Sequence, residues 1–169
     1  MTPSTTHAAE LSRWLDSEDL ALVESALARV RQQGELSLMP QVARLLGHPD
    51  AATRRLAQSL LNDIKDPLAR GLVLEAIAAA PAPLLGPLVA SCWESGLDYT
   101  VHLPVFVELL LRQDYAVGLE ALTVVQQMER PDELALRQAL ARVEQQLPGL
   151  DAGRQGLAQE LLDQLQSWA

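Results

Sequence analysis

Residues 38–61 of this 169-residue chain read LMPQVARLLGHPDAATRRLAQSLL. Apolar residues recur at helical spacing on both sides of the Gly-His-Pro-Asp segment 47–50, a pattern typical of two helices joined by a tight turn. Similar helix pairs follow roughly every 30–35 residues. One such pair cannot bury its apolar face alone, so the repetition predicts a stack of helical hairpins, an α-solenoid.

The whole chain can be divided in this way. The apolar residues are mostly Leu, Ala and Val, and the β-branched and aromatic clusters typical of strands are almost absent. The sequence therefore predicts an all-α protein of about eight to ten helices. The predicted single repeat domain, 1–169, contains N-terminal capping helices in 1–34 and repeats at about 37–66, 67–98, 101–130 and 131–168.

Several helix ends are marked by residues with known preferences for those positions. Asp50 and Asp114 are placed to cap the second helices of two hairpins. Asp16 or Ser17 is expected to cap the second N-terminal helix, which Gly34 is expected to end.

Helical spacing also predicts which side chains are buried. In the second helix of the first repeat the expected stripe is Ala52, Leu56, Leu60 and Ile64. In the helix that Asp114 caps it is Tyr115, Leu119, Leu122 and Val125. Truncating Leu56 or Leu60 to Ala should cost roughly 2–5 kcal/mol if both are buried.

The chain is acidic, with a net charge of −9 and a pI near 4.7. Nucleic-acid binding requires clustered Lys and Arg, so a nucleic-acid partner is not expected. Residues 71–129 contain one basic and seven acidic side chains, a net charge of −6. A protein partner of this region is expected to present a basic surface.

The sequence gives little support for a metal site, a disulfide or a membrane-spanning segment. The single cysteine, Cys92, excludes an internal disulfide framework and a cysteine-rich metal site. The three histidines, His7, His48 and His102, are far apart and lack metal-ligand spacing, so neither a metal nor a cofactor is expected. No apolar run is long enough to span a bilayer, and the N-terminus does not resemble a signal peptide. We therefore expect a cytoplasmic protein without a membrane partner.

The segment 49–57, PDAATRRLA, resembles the inter-helix signature of HEAT repeats, in which an Asp, a small or β-branched residue followed by Arg, and a later Ala recur. The resemblance implies a right-handed superhelix of antiparallel hairpins. It also implies that Asp50 caps the second helix and faces Arg54, which would lie in a ladder between repeats. Ala57 would let helices approach closely. The later repeats have no Arg at the equivalent position.

The whole chain is also similar to small stand-alone HEAT-repeat proteins of bacteria. The similarity is strongest in residues 91–125, SCWESGLDYTVHLPVFVELLLRQDYAVGLEALTVV. It implies the fold and brings no assigned activity with it.

Four of the six aromatic residues and four carboxylates fall within residues 92–115. One hypothesis is a surface with aromatic anchors and an acidic rim that binds a protein partner. The alternative is that the rings fill gaps between hairpins while the carboxylates cap helices. The candidate partner-binding residues are Trp93, Glu94, Asp98, Tyr99, Glu108, Asp114 and Tyr115.

Two pairs of residues could be imagined as catalytic. Cys92 and His102 offer a thiol and a base, but Cys92 lies on an apolar stripe, where a buried thiol is usually inert. Glu94 and Asp98 could act as acid and base, yet no Lys or cofactor motif lies nearby in the sequence. We assign no catalytic residue.

Three functions stay open. The leading one is a non-enzymatic protein–protein interaction module, or adaptor, that presents a ridge of helices to a partner. The second is an enzyme or enzyme subunit, since some HEAT-like proteins act on bilins or on damaged DNA. A DNA enzyme would need a basic concave face, and this chain lacks the residues for one. The third is a purely structural protein that associates with itself through its end hairpins.

Overall fold

The computed structural model describes the backbone of residues 3–169 and the side chains of residues 7–169. Every regular element in these residues is helical, and none is a strand. The predicted all-α class and the predicted number of helices are confirmed. The ten α-helices are α1 (Pro3–Leu15), α2 (Leu20–Gln33), α3 (Met39–Arg44), α4 (Ala51–Asn62), α5 (Ala69–Ala79), α6 (Ala82–Glu94), α7 (Leu103–Arg112), α8 (Tyr115–Gln126), α9 (Glu133–Gln146) and α10 (Ala152–Trp168).

Aspartate caps begin five of these helices. The carboxylates of Asp19, Asp50, Asp114, Asp132 and Asp151 each accept a hydrogen bond from a backbone N–H of the first helical turn. Such N–H groups have no partner within the helix, so each cap fixes the residue at which its helix begins. The predicted caps of α4 and α8 are confirmed.

The predicted cap of α2 is wrong, because Asp19 takes that position. The N–H of Asp16 donates to the carbonyl of Ser12 at 3.3 Å, which continues the pattern of α1. The hydroxyl of Ser17 accepts the N–H of Asp19 at 3.1 Å, one residue before α2 starts. Gly34 ends α2 as predicted, in a left-handed conformation with φ of 65°.

The first compact unit of the chain ends at Leu97. It contains the helix pairs α1–α2, α3–α4 and α5–α6. The first helices contact one another in the order α1, α3, α5, and the second helices in the order α2, α4, α6. The ammonium group of Lys65 donates to the carbonyl of Ser95, which links the segments that follow α4 and α6. Three hairpins therefore pack side by side within this unit.

The second compact unit spans Asp98–Ala169 and contains the pairs α7–α8 and α9–α10. Helix α7 packs against α9, and α8 packs against α10. The boundary between the two units lies where the predicted repeats 67–98 and 101–130 meet. A single repeat domain spanning 1–169 stays a prediction. Large buried side chains of the second unit include Tyr99, Phe106, Leu110, Leu122, Leu136 and Leu161.

Three of the capped second helices, α4, α8 and α10, share one pattern of burial relative to the cap. Seven residues after the capping Asp, each has a fully buried alanine: Ala57, Ala121 and Ala158. One turn later, each has two adjacent buried aliphatic residues: Leu60 and Leu61, Val124 and Val125, Leu161 and Leu162. A buried alanine has little side chain to separate two backbones, so neighbouring helices can pack closely there.

The predicted buried stripe of α4 is wrong at Leu56, which is 40% exposed. The face that packs includes Thr53 and Ala57 instead. Both stripes have helical spacing, and the smaller residues are buried because α4 packs against α2 on one side and α6 on the other. The stripe of α8 is wrong in the same way, since Tyr115 and Leu119 are exposed.

Arg54 does not make the contact with Asp50 that the HEAT resemblance implied. Its guanidinium donates to the carbonyls of His48 and Pro49, both at 2.7 Å. Among the residues described, no ion pair joins it to Asp50. Arg54 therefore holds the turn between α3 and α4 in place.

Candidate interaction surface

The predicted partner-binding residues divide between the two units. Trp93 and Glu94 lie at the end of α6 in the first unit, where Glu94 is exposed and the Trp93 ring is half-buried. Asp98, Tyr99, Glu108, Asp114 and Tyr115 belong to the second unit.

Tyr99 is a core residue of the second unit. Its side chain is almost completely buried. The ring meets that of Phe106 edge to face, with centroids 5.6 Å apart, and its centroid lies 6.3 Å from that of His102. Edge-to-face aromatic pairs are favourable contacts, so Tyr99 stabilises the start of α7 rather than facing a partner.

Asp98 shapes the segment that leads into α7. Its carboxylate accepts hydrogen bonds from the backbone N–H of Thr100 at 2.8 Å and from the Thr100 hydroxyl at 2.5 Å. The hydroxyl oxygen of Thr100 in turn accepts the N–H of Glu129 at 3.1 Å. The exposed carboxylate of Asp98 thus orders this segment while its negative charge stays at the surface.

Glu108 lies in an ion-pair network that joins α7 to α9. Arg142 donates to both carboxylate oxygens of Glu108, at 2.5 and 3.1 Å, and Arg112 pairs with it at 2.5 Å. The hydrogen bonds from Arg142 hold the pKa of Glu108 below its ordinary value, and those from Arg112 lower it further. The two guanidinium groups neutralise Glu108, so it contributes little to the steering of a partner.

Asp114 and Tyr115 start α8. The carboxylate of Asp114 accepts the N–H of Val117 at 2.9 Å, so its main role is the helix cap. The ring of Tyr115 is 53% exposed, and Leu119, one turn further along, is also exposed. Residues four apart are neighbours on a helix surface. We call this exposed pair the Tyr115–Leu119 surface.

The start of α10 borders the Tyr115–Leu119 surface. Gly153 lies close to the Tyr115 ring, and a Cβ built at Gly153 would be 3.5 Å from both that ring and the Asp151 carboxylate. Asp151 accepts the N–H of Arg154 at 3.1 Å and pairs with its guanidinium at 2.5 Å. These bonds, the backbone one first, lower the pKa of Asp151. The ion pair of Asp151 and Arg154 therefore lies near the exposed ring.

The first unit contains a cleft that the sequence did not indicate. It has a volume of about 390 Å³ and is lined by residues of α3, α5 and α6, many of them alanine or proline. Arg44 and Glu75 add one charge of each sign to the lining. The sequence has a run of alanine and proline at 78–83. Its small side chains are the signal that such a cleft could form.

The chemistry available in the described residues is that of contact surfaces. No group of three or more His, Cys, Asp or Glu side chains there could hold a metal ion. The sulfur of Cys92 is buried, 3.7 Å from the carbonyl oxygen of Leu88. None of the helices within residues 3–169 combines the length and the apolar character needed to cross a bilayer.

Comparison with protein-family models, with curated proteins and with solved structures finds no match for this chain. The resemblance to HEAT repeats in residues 49–57 and 91–125 therefore stays a prediction.

Proposed function

We propose that the chain is a non-enzymatic protein-interaction module whose hairpins form an α-solenoid of the HEAT type. The helix contacts within each unit support this architecture. First helices pack on first helices and second helices on second helices, in the first unit and again in the second. Stacked hairpins expose one face of each helix, and these faces form a surface suited to protein contact.

The observation that favours binding is the Tyr115–Leu119 surface. An exposed aromatic ring next to an exposed aliphatic side chain offers the kind of anchor that dominates protein interfaces. The second unit as a whole has eleven acidic and five basic side chains, a net charge of −6. The partner should therefore have a basic surface with an apolar centre.

Crosslinking tests the proposal. The photoreactive residue p-benzoylphenylalanine is placed at Tyr115 in cells that contain the full chain. A matched control has it at Gln145, an exposed position of α9 in the same unit. We expect an adduct with a second protein from position 115 and none from position 145. In the chain labelled at 115, Leu119→Arg should reduce that adduct, because it replaces an apolar contact with a charge.

Three results would contradict the proposal. Equal adducts from both positions would mean nonspecific contact, and no adduct from position 115 would mean that this surface is unused. An adduct made only of two copies of this chain would favour the structural, self-associating alternative.

A further inference from the structure

Three exposed aliphatic residues recur at a fixed interval. Leu68, Val101 and Leu134 are 77%, 76% and 61% exposed, the highest values among the large hydrophobic residues of the described part of the chain. Their numbers differ by 33 in both steps. Single exposed aliphatic residues are common on proteins, but here one lies near the start of the first helix in three successive hairpins.

Each of the three residues lies at the start of the first helix of a hairpin. Leu68 directly precedes α5, Val101 lies two residues before α7, and Leu134 is in the first turn of α9. In the second unit α7 packs against α9, and the hydrogen bond from Glu129 to Thr100 joins the segments that precede them. Val101 and Leu134 therefore lie at the same end of that unit.

Carboxylates accompany these aliphatic residues. In the second unit Asp98 and Asp132 come two to three residues earlier, each accepting a nearby backbone N–H. Glu129 adds a further negative charge to the same end, whereas Glu133 is paired with arginines. Arg130 donates to the carbonyl of Trp168 at 2.6 Å and to Glu133 at 3.3 Å, and Arg137 also pairs with Glu133, at 3.6 Å. His102 is the other basic residue in 98–103 and 127–134. Val101 and Leu134 are therefore exposed within an acidic border.

We propose that this aliphatic edge, formed by Val101 and Leu134, binds a basic segment of a partner protein. Aliphatic side chains of that segment contact Val101 and Leu134, and its Lys or Arg residues face Asp98, Glu129 and Asp132. The acidic residues around the edge favour a basic partner, because they would repel a second copy of this acidic chain or an anionic membrane. The edge shares no residue with the Tyr115–Leu119 surface.

The test uses the full chain with ¹³C-labelled Leu and Val methyl groups and a short synthetic peptide of Leu and Arg. Two control peptides have Glu in place of Arg, or Ser in place of Leu. We expect the Leu/Arg peptide to shift the methyl signals of Val101 and Leu134, and both controls to have little effect. The double variant Val101→Ser, Leu134→Ser should weaken binding about tenfold or more, the loss of an interface anchor.

A matched control is Leu22→Ser, which removes an exposed leucine of α2 and should leave binding unchanged. Both replaced residues of the edge are exposed, so the double variant should keep its helical circular dichroism. Binding that survives the double variant, shifts confined to other methyl groups, or equal binding of the Leu/Glu peptide would each overturn the proposal. So would a dimer in sedimentation that the double variant abolishes. Failure here would leave the Tyr115 crosslink intact, so the two proposals can fail separately.

Discussion

Helices α4 and α8 share four buried positions and have different surfaces. Each begins directly after a capping aspartate, and Thr53, Ala57, Leu60 and Leu61 of α4 correspond to Val117, Ala121, Val124 and Val125 of α8. All eight are buried. At the first and fifth residues of the helices, α4 has Ala51 and Arg55, whereas α8 has Tyr115 and Leu119, and all four are exposed.

This comparison distinguishes the residues that determine helix packing from the residues that form the surface. The cap and the residues at fixed distances from it determine how a second helix packs. The exposed positions are not constrained by that packing, so they are where this protein can differ from one hairpin to the next. In α8 they present an aromatic ring and an aliphatic side chain, and these support the proposed interaction.

The largest expected effect concerns the buried face of α4. Leu60→Ala should lower the free energy of unfolding by roughly 2–5 kcal/mol, as truncation of buried leucines does. Leu56→Ala is the matched control, and it should cost less, about 1 kcal/mol, because the side chain is 40% exposed. Urea denaturation of both variants measures the difference. Equal losses would mean that α4 is rotated relative to the packing described above.

A smaller effect is expected at the buried alanine of α8. Ala121→Leu should cost about 1–3 kcal/mol, because a larger side chain must displace neighbours in a packed core. Ala116→Leu on the exposed side of the same helix should change stability by less than about 0.5 kcal/mol. The two variants are compared by chemical denaturation. If Ala121→Leu left the stability unchanged, the close approach of helices at this alanine would not determine which face of α8 is buried.

Three helix ends could be predicted because single residues determine them. Asp50, Asp114 and Gly34 act locally, through one hydrogen bond or one backbone conformation. The cap of α2 was missed because three polar residues in a row, Asp16 to Glu18, precede Asp19, and local preference alone does not choose among them. The buried face of α4 depends on neighbouring helices, which spacing within one helix does not contain.

The candidate surface was harder to predict for the same reason. Tyr99 and Tyr115 each have a leucine four residues later, Leu103 and Leu119, yet one ring is in the core and the other is exposed. Position relative to the cap distinguishes Tyr115, because Ala51 at the same position of α4 is also exposed. The interval of 33 residues alone could not have identified the aliphatic edge, because Ile77, Leu110 and Val143 have the same spacing and are buried.

Within each unit an ion pair joins neighbouring hairpins, and the two ion pairs differ in exposure. In the first unit Arg31 pairs with Asp63 at 3.0 Å, and both side chains are about half exposed. In the second unit Glu108 accepts both hydrogen bonds from Arg142, and these side chains are less exposed. Glu108→Gln should therefore destabilise the protein more than Asp63→Asn. Because Glu108 remains partly exposed, its loss should cost no more than about 1 kcal/mol near neutral pH.

The pH dependence of this loss follows from the lowered pKa of Glu108. Its ordinary value is 4.5, and the folded value lies below that. The unfolded chain therefore binds this proton more readily, so the stabilisation is present above about pH 4.5 and is lost as the pH falls through the folded pKa. We expect the difference in unfolding free energy between the wild-type chain and Glu108→Gln to shrink as the pH falls from about 4.5 through the folded pKa. Urea titrations at several pH values measure it. A difference that stayed constant would mean that packing or the neutral hydrogen bonds, and not the ionised carboxylate, stabilise the contact between α7 and α9.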